Sequence, residues 1–347
     1  MSTKKRALVV APGRGTYNKD ELGYLARHHG GGGALVAAFD AERRRRGRAT
    51  ITELDGAERF AMAKHTRGDN ASPLILACAH ADFLAIDRDR FEIAAVTGNS
   101  MGWYIALGCA GALAPMAAFD VVDTMGALMQ ETLIGGQLIY PFVDADWREI
   151  AGRKADLLTL VEAINARPGH CLNVSIRLGG MLVFAGDEAG LKAIEAALPP
   201  VDGRFPMRLG NHAAFHTPLQ APVAERGRAL LPQSLFSSPQ LPAIDGRGAI
   251  WFPNACSKTA LRTYTLDTQV VETYDFTRAI EVGMREFAPD AIIVLGPGTT
   301  LGGAVAQSLI GIGWQGLASK ADFIARQKAD PLVIAMGLPD QRPLATG

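Results

Sequence analysis

The fold is decided by residues 92–113, which read EIAAVTGNSMGWYIALGCAGAL. The first six residues are strand-like, and the residues from 101 onward are typical of a helix. Between them stands Gly98-Asn99-Ser100-Met101-Gly102, a GxSxG motif. In a strand-turn-helix of this kind, small flanking residues permit a strained turn that lifts the serine hydroxyl to a helix N-terminus. We therefore predict that Ser100 is a nucleophile and that the backbone N–H of Met101 faces an oxyanion.

Short apolar runs and helical stretches alternate elsewhere in the chain. Residues 6–11 are predicted to form a buried strand that ends at Pro12-Gly13, and residues 291–298 a late strand that ends in a Gly-Pro-Gly turn. Residues 73–86 and 116–132 have the apolar spacing of helices. The recurrence of strand, turn and helix predicts the α/β fold class, with a doubly wound parallel sheet.

Residues 136–206 differ in character and interrupt this pattern. Their segments predict a compact β-α-β-β-α unit, which fits a ferredoxin-like subdomain inserted into the main domain. The main domain would then comprise residues 1–135 and 207–347. The glycine-rich stretch at residues 28–33 is predicted to be a loop, and the tail after Asp330 is predicted to wrap the surface.

Composition limits the kinds of partner. The 35 Lys and Arg residues balance the 35 Asp and Glu residues, which argues against a nucleic-acid-binding protein. The basic run Arg43–Arg46 is predicted to be a solvated helix end or loop, with a docking patch for an acidic partner or a phosphate-bearing substrate as the alternative. The four cysteines have no metal-binding spacing, so we expect free thiols and no metal. We expect neither a signal peptide nor a membrane span, and hence a cytoplasmic protein.

A serine nucleophile needs a base, which is most often a histidine. The usual hydrolase order of serine, acid and late histidine fits poorly, because no histidine follows His216. That residue stands in the segment NHAAFHTPL (residues 211–219), where Pro218 fixes the loop. Five other histidines are predicted to be structural, namely His28, His29, His65, His80 and His170.

Four separated segments resemble the malonyl-CoA:acyl carrier protein transacylase family of fatty-acid and polyketide synthesis. Residues 11–15 (APGRG) resemble its N-terminal FPGQG loop, and residues 98–107 (GNSMGWYIAL) resemble its GHSLGEYSAL segment. Residues 214–219 (AFHTPL) resemble its AFHSPLM-type histidine loop, and residues 295–301 (LGPGTTL) its late GPGxxL turn. The order and spacing agree over roughly residues 6–320, so the chain resembles a divergent member of this family.

The resemblance implies an α/β-hydrolase-like core with an inserted ferredoxin-like subdomain. It also implies a ping-pong acyl transfer, with acyl-CoA as donor, acyl carrier protein as partner and no permanently bound cofactor. Ser100 would attack the thioester with His216 as general base, and the phosphopantetheine thiol of the carrier protein would then attack the acyl-serine. A backbone carbonyl, aligned with Gln269, would orient the histidine. The backbone N–H groups of Met101 and Arg14 would form the oxyanion hole.

Two departures from the family concern charge in the acyl pocket. Malonyl-specific members carry an arginine on the helix after the nucleophile, where it pairs with the malonyl carboxylate; here Met125 occupies that position. A thioether cannot neutralise a carboxylate, which places malonyl specificity in question. Arg14 stands where the family usually has glutamine. Its guanidinium either replaces the missing clamp from the opposite wall or points to solvent or to the phosphates of CoA, and both alternatives stay open.

The residues that flank the serine and the histidine give conflicting indications of the substrate. Asn99 replaces a histidine of the family and can still form local hydrogen bonds. Trp103 replaces a glutamate and is predicted to narrow the entrance or the pocket. Phe215 resembles the malonyl-type polyketide pattern. The predicted substrate-binding residues are therefore Met125, Phe215, Asn99 and Trp103.

Three functions fit these observations. The first is transfer of an acyl group, malonyl by resemblance, from CoA to acyl carrier protein. The second is hydrolysis of acyl groups from carrier protein, which fits the loss of the arginine clamp. The third is a non-catalytic scaffold that binds carrier protein, and the intact Ser100 and His216 weigh against it. The first two differ in whether a pantetheine thiol or water takes the acyl group from Ser100.

Overall fold

The structure, a computed structural model, describes residues 4–347. Its strands are β1 (Lys5–Ala11), β2 (Phe91–Gly98), β3 (Gly136–Pro141), β4 (Leu172–Leu178), β5 (Met181–Gly186), β6 (Met207–Leu209), β7 (Ala243–Ile244), β8 (Ile250–Trp251), β9 (Tyr274–Asp275), β10 (Ala291–Val294) and β11 (Val333–Ala335). Its helices are α1 (Tyr24–His29), α2 (Gly33–Arg45), α3 (Ile51–Asp55), α4 (Met62–His65), α5 (Gly68–Ala85), α6 (Gly102–Cys109), α7 (Pro115–Glu131), α8 (Arg153–Asn165), α9 (Glu188–Ala197), α10 (Ala221–Leu230), α11 (Lys258–Thr263), α12 (Gln269–Val271), α13 (Phe276–Phe287), α14 (Thr300–Gly311), α15 (Lys320–Ala329) and α16 (Arg342–Thr346). Within residues 4–347, no helix is both long enough and apolar enough to cross a membrane.

A six-stranded sheet forms the larger layer, in the order β11-β10-β1-β2-β7-β8. Its pairings are parallel except that the edge strand β8 runs antiparallel to β7. The apolar strands β1 and β10 lie in its interior, as expected for strands covered by helices on both faces. The carboxyl ends of the parallel strands share one edge, so the loops after β1, β2 and β10 meet there. This arrangement confirms the predicted α/β fold class.

A smaller five-stranded sheet has the order β6-β3-β5-β4-β9. The succession β3-α8-β4-β5-α9-β6 is a β-α-β-β-α-β unit with antiparallel pairings, the arrangement called ferredoxin-like. Its last strand, β6, begins at Met207, just after the predicted limit of the subdomain. Strand β9, which comes from much later in the chain, adds to β4 in parallel. The predicted domain boundaries stay a prediction.

The structure corrects two predictions, one for the tail after Asp330 and one for the loop at residues 28–33. The tail after Asp330 does not simply wrap the surface, because its apolar segment forms β11 and pairs with β10 in the main sheet. Farther along, Arg342 of α16 forms an ion pair of 2.7 Å with the buried Asp82 of α5. The predicted loop at residues 28–33 is shorter than expected, since α1 ends at His29 and α2 begins at Gly33.

The basic run Arg43–Arg46 lies at the end of α2 with Arg44 and Arg45 exposed, as predicted, but Arg43 and Arg46 belong to an internal ion-pair network, which corrects the prediction for those two residues. Arg43 follows Val36 and Phe39 on the inward face of α2 and pairs at 2.6 Å with Asp123 of α7, both side chains being fully buried. Arg46 and Arg48 reach the same carboxylate at 2.8 and 2.5 Å. The network fixes α2 against α7, which excludes Arg43 from any docking surface.

Replacing the shared carboxylate tests this network. In Asp123→Asn, the buried Arg43 loses its counter-charge, so we expect the free energy of unfolding to fall by about 3–5 kcal/mol. The control is Glu131→Gln on the same helix, whose exposed pair with Arg226 (2.8 Å) should change stability by less than about 1 kcal/mol. Urea unfolding followed by circular dichroism measures both. Equal effects of the two variants would contradict the network's structural importance.

Candidate active site

Ser100 lies on a strained turn between β2 and α6. Its φ angle of 56° is in the left-handed region, which a non-glycine residue rarely adopts. The two glycines of the motif are required by close backbone contacts. A Cβ on Gly98 would lie 2.2 Å from the carbonyl oxygen of Gly102, and a Cβ on Gly102 would lie 2.4 Å from the carbonyl oxygen of Ala11. The turn therefore holds the serine at the carboxyl edge of the main sheet, as the motif predicts.

The side chain of His216 lies within hydrogen-bond distance of the serine hydroxyl. The Ser100 Oγ and the His216 Nε2 are 2.7 Å apart, although the two residues are far apart in sequence. The other ring nitrogen, Nδ1, lies 2.5 Å from the carbonyl oxygen of Gln269. A carbonyl can only accept, so Nδ1 carries the hydrogen and Nε2 is free to accept the serine proton. The structure thus connects a serine, a histidine and a backbone carbonyl by two consecutive hydrogen bonds.

Hydrogen bonds on both sides position Gln269. A single π turn, Tyr264–Thr268, precedes it and leads into α12. Its side-chain Nε2 donates to the carbonyl oxygen of Ser100 at 3.0 Å, and its Oε1 accepts from the hydroxyl of Tyr104 at 3.0 Å. The same residue therefore contacts the histidine through its main chain and the nucleophile turn through its side chain. Sequence reasoning missed Tyr104, because a buried tyrosine on an apolar helix gives no local signal of this contact.

The loop that carries His216 is anchored from the smaller sheet. The hydroxyl of Ser175 on β4 donates to the carbonyl oxygen of Phe215 at 2.7 Å and accepts from the Nε2 of Gln137 on β3 at 2.6 Å. The Oε1 of that glutamine lies 2.7 Å from the Nδ1 of His212. These contacts, which the sequence did not indicate, tie the histidine loop to two strands.

Burial sets the charge state of the histidine. It lowers the pKa of His216 to about 4, although the hydrogen bond to the Gln269 carbonyl acts in the opposite direction. The imidazole is therefore neutral at physiological pH, which is the form that can accept a proton. A carbonyl rather than a carboxylate holds its Nδ1, so the site is a dyad with an orienting carbonyl.

A small pocket, which encloses about 440 Å³ including open solvent, opens beside Ser100. The predicted residues Arg14, Met101, Met125, Phe215 and Gln269 all line it, together with His216. Neither the Met101 nor the Arg14 backbone N–H donates to an acceptor within residues 4–347, so both amides are free. Most of the wall is apolar, which suits a short acyl chain.

A larger cleft lies between the two sheets and adjoins this pocket at Arg14, which lines both. The cleft encloses about 2000 Å³ including open solvent. Asn99 lines the cleft rather than the pocket, and its buried Oδ1 has no hydrogen-bond partner in the described chain. The basic side chains around the cleft are Arg14, Arg153, Arg204 and Lys320.

Trp103 is not at the entrance, which corrects its predicted place. It is fully buried and lines neither the pocket nor the cleft. Its indole N–H donates to the hydroxyl of Thr265 at 3.0 Å, and its ring packs edge-on against Tyr264. The side chain therefore fills the core beneath the π turn that precedes Gln269. Its contribution to the site is through packing.

Comparison with known proteins found similarity but no matching family model. The chain is 26% identical over 309 residues to a phenolphthiocerol synthesis type I polyketide synthase of Mycobacterium marinum. The aligned region covers 88% of this chain and 14% of that protein. It is 26% identical over 214 residues to a malonyl CoA-acyl carrier protein transacylase of Haemophilus influenzae, covering 60% of this chain and 63% of that protein. The chain thus spans less than two thirds of the length of these curated relatives.

The fold is also found in solved structures. A malonyl-CoA:acyl carrier protein transacylase from Xanthomonas oryzae matches with a TM-score of 0.75 at 19% identity, covering 99% of this chain and 98% of that one. The strained serine and the histidine beside it, held in an α/β core, define an α/β protein with a serine site. More specifically, the fold is that of the malonyl-CoA:acyl carrier protein transacylases. The resemblance stated from four sequence segments is confirmed.

The depressed pKa of His216 predicts the pH dependence of Ser100. The histidine accepts a proton only when neutral, so reactivity should be lost as pH falls through about 4. A histidine with an ordinary pKa would already be about nine-tenths protonated at pH 5.5. We expect labelling by a fluorophosphonate to keep its full rate at pH 5.5, with Ser100→Ala as the blank and circular dichroism as the check on folding. A midpoint between pH 6 and 7 would contradict this burial effect.

Proposed function

We propose that the protein is an acyltransferase that moves an acyl group from acyl-CoA to the phosphopantetheine thiol of an acyl carrier protein. The observation that carries the proposal is the 2.7 Å contact of Ser100 Oγ with His216 Nε2 beside a small acyl-sized pocket. The names of the relatives support the donor and the acceptor, and they suggest malonyl as the acyl group. Fatty-acid or polyketide synthesis is the corresponding process.

In the first half-reaction, the Nε2 of His216 takes the hydroxyl proton of Ser100. The Oγ attacks the thioester carbonyl carbon, and the free backbone N–H groups of Met101 and Arg14 bind the resulting oxyanion. The carbon–sulfur bond then breaks, and the CoA thiolate takes the proton from the imidazolium. The Gln269 carbonyl keeps the ring in the required tautomer and stabilises the transient positive charge.

In the second half-reaction, the same groups act in reverse order. The thiol of the carrier protein gives its proton to His216 and attacks the acyl-serine, and the Ser100 Oγ leaves with that proton. The cleft between the sheets has room for a pantetheine arm, and it meets the acyl pocket at Arg14. Both donor and acceptor can therefore present a thioester to the serine along the same route.

The reaction needs no bound cofactor or metal, because acyl-CoA brings the activated acyl group as a substrate. The pKa of His216 leaves it neutral between the half-reactions, so the enzyme is ready for either thiol substrate. A cytoplasmic location, where acyl-CoA and carrier protein are both present, is part of the same proposal.

Intact-mass spectrometry after incubation with a panel of acyl-CoAs tests the first half-reaction. We expect one acyl group to add to the wild type and none to Ser100→Ala. His216→Gln should slow acylation by about 1000-fold, because it removes the base. A protein that gains no mass from any donor would defeat the proposal and favour a non-catalytic role.

Addition of a holo-acyl carrier protein to the acyl-enzyme tests the second half-reaction. We expect the acyl group to appear on the carrier protein faster than free acid appears in solution. The matched control is the apo carrier protein, which lacks the phosphopantetheine thiol and should leave the acyl-enzyme intact. Release of the acid at the same rate with either form would identify an acyl hydrolase instead.

A further inference from the structure

The pocket beside Ser100 contains one formally charged side chain, Arg14. The remaining lining residues are apolar or neutral, His216 included, because burial keeps that histidine unprotonated at physiological pH. Arg14 comes from the loop after β1 and is only partly accessible. A cation in a small apolar pocket is costly unless an anion accompanies it.

The guanidinium of Arg14 lies close to Gly68, the first residue of α5. A Cβ on Gly68 would lie 3.0 Å from its Nη1, and a Cβ on Gly126 would lie 2.6 Å from the carbonyl oxygen of Gly68. Gly126 lines the pocket and follows Met125 on α7. The arginine side chain therefore reaches the wall formed by α5 and α7, although Arg14 also lines the cleft.

Three contacts hold the side chain in this place. The Nη2 donates to the carbonyl oxygens of Asn211 and Thr66 at 2.7 and 3.3 Å. The guanidinium carbon lies 5.4 Å from the centre of the Phe215 ring, over its face. Neutral partners thus orient the cation without neutralising it.

The charge of Arg14 has no protein partner. Its Nε is buried without an acceptor, and within residues 4–347 neither an acceptor for Nη1 nor an ion pair with a carboxylate is present. Asp69 acts on it only at longer range and is itself paired with Arg67 at 3.0 Å. Burial lowers the pKa of Arg14 to about 10, so the side chain is still charged at physiological pH.

We propose that Arg14 binds the free carboxylate of a short dicarboxylic acyl group while its other end is esterified to Ser100. The specificity-determining cation would then come from the loop after β1 rather than from α7, where Met125 stands. The two methionines of the wall, Met125 and Met129, limit the chain length that fits between the carboxylate and the serine. The inference rests on the proposed acyl transfer and names its class of substrate.

Phosphate binding is the competing explanation for Arg14. The phosphates of CoA belong in the open cleft, where Arg153, Arg204 and Lys320 are available. Arg14 lines the cleft too, but its guanidinium lies beside Gly68, which is next to Gly126 in the wall of the pocket. The position of the unpartnered charge therefore favours the acyl carboxylate.

A pair of donors of nearly equal shape separates the two explanations. Malonyl-CoA ends in a carboxylate, whereas acetoacetyl-CoA ends in a methyl ketone of nearly the same shape. The ratio of their kcat/KM values for acylation of Ser100 therefore reports recognition of the negative charge. We expect the wild type to prefer malonyl-CoA and Arg14→Gln to lower this ratio by about 100-fold. Arg14→Lys should retain part of the ratio, because it keeps the charge but loses the planar pair of donors. Succinyl-CoA reports how much chain length the pocket accepts.

The control variant is Arg204→Gln, which changes a cation of the cleft but not of the pocket. It should change the rates with both donors by the same factor and leave their ratio unaltered. Glutamine at position 14 keeps the backbone N–H proposed for the oxyanion, and thermal unfolding verifies that each variant is folded. An unchanged ratio in Arg14→Gln would overturn this inference alone, whereas a wild type that no donor acylates would overturn the proposed function.

Discussion

The hydrogen bond from His216 Nδ1 to the carbonyl oxygen of Gln269 is the interaction on which the site depends. It fixes the tautomer, and the tautomer decides that Nε2 accepts rather than donates at Ser100. A carbonyl performs this orienting role without bringing a second charge into a buried site. Its partial negative charge is enough to offset part of the burial that lowers the pKa of His216.

Much of the surrounding structure holds this carbonyl and this ring in place. The π turn before Gln269 is packed by Trp103 and Tyr264, while Ser175 holds the carbonyl of the residue before His216. The ion pairs of Asp123 fix α7, the helix that forms the far wall of the pocket. These supports act through the Gln269 turn, the histidine loop and α7, respectively.

The sequence predicted the parts of the site that rest on local backbone geometry. The turn at Ser100 needs glycines on both sides, and the histidine loop ends in a proline, so both leave a signature within a few residues. The strands β1, β2 and β10 are buried on both faces and were readable as apolar runs. The position of the Gln269 carbonyl was reached only through the family resemblance.

The remaining features depend on contacts between distant segments. Trp103 follows a glycine at the serine turn, yet its direction is set by Thr265 and Tyr264, which no local pattern reveals. The run of arginines looked solvated because its counter-charge, Asp123, stands on another helix. Short strands such as β9 and β11 have too few residues to show a period.

Strand β9 gives the molecule a mechanical property. Tyr274 pairs with Ile176 in the smaller sheet, and its hydroxyl donates to the carbonyl oxygen of Gly98 at 2.5 Å, at the root of the serine turn. Strand β9 thus joins the smaller sheet to the main sheet two residues before Ser100. A widening of the cleft about this contact would displace its outer rim more than the serine turn, because displacement grows with distance from the pivot. Such an opening would admit a large substrate with the least displacement at the serine turn.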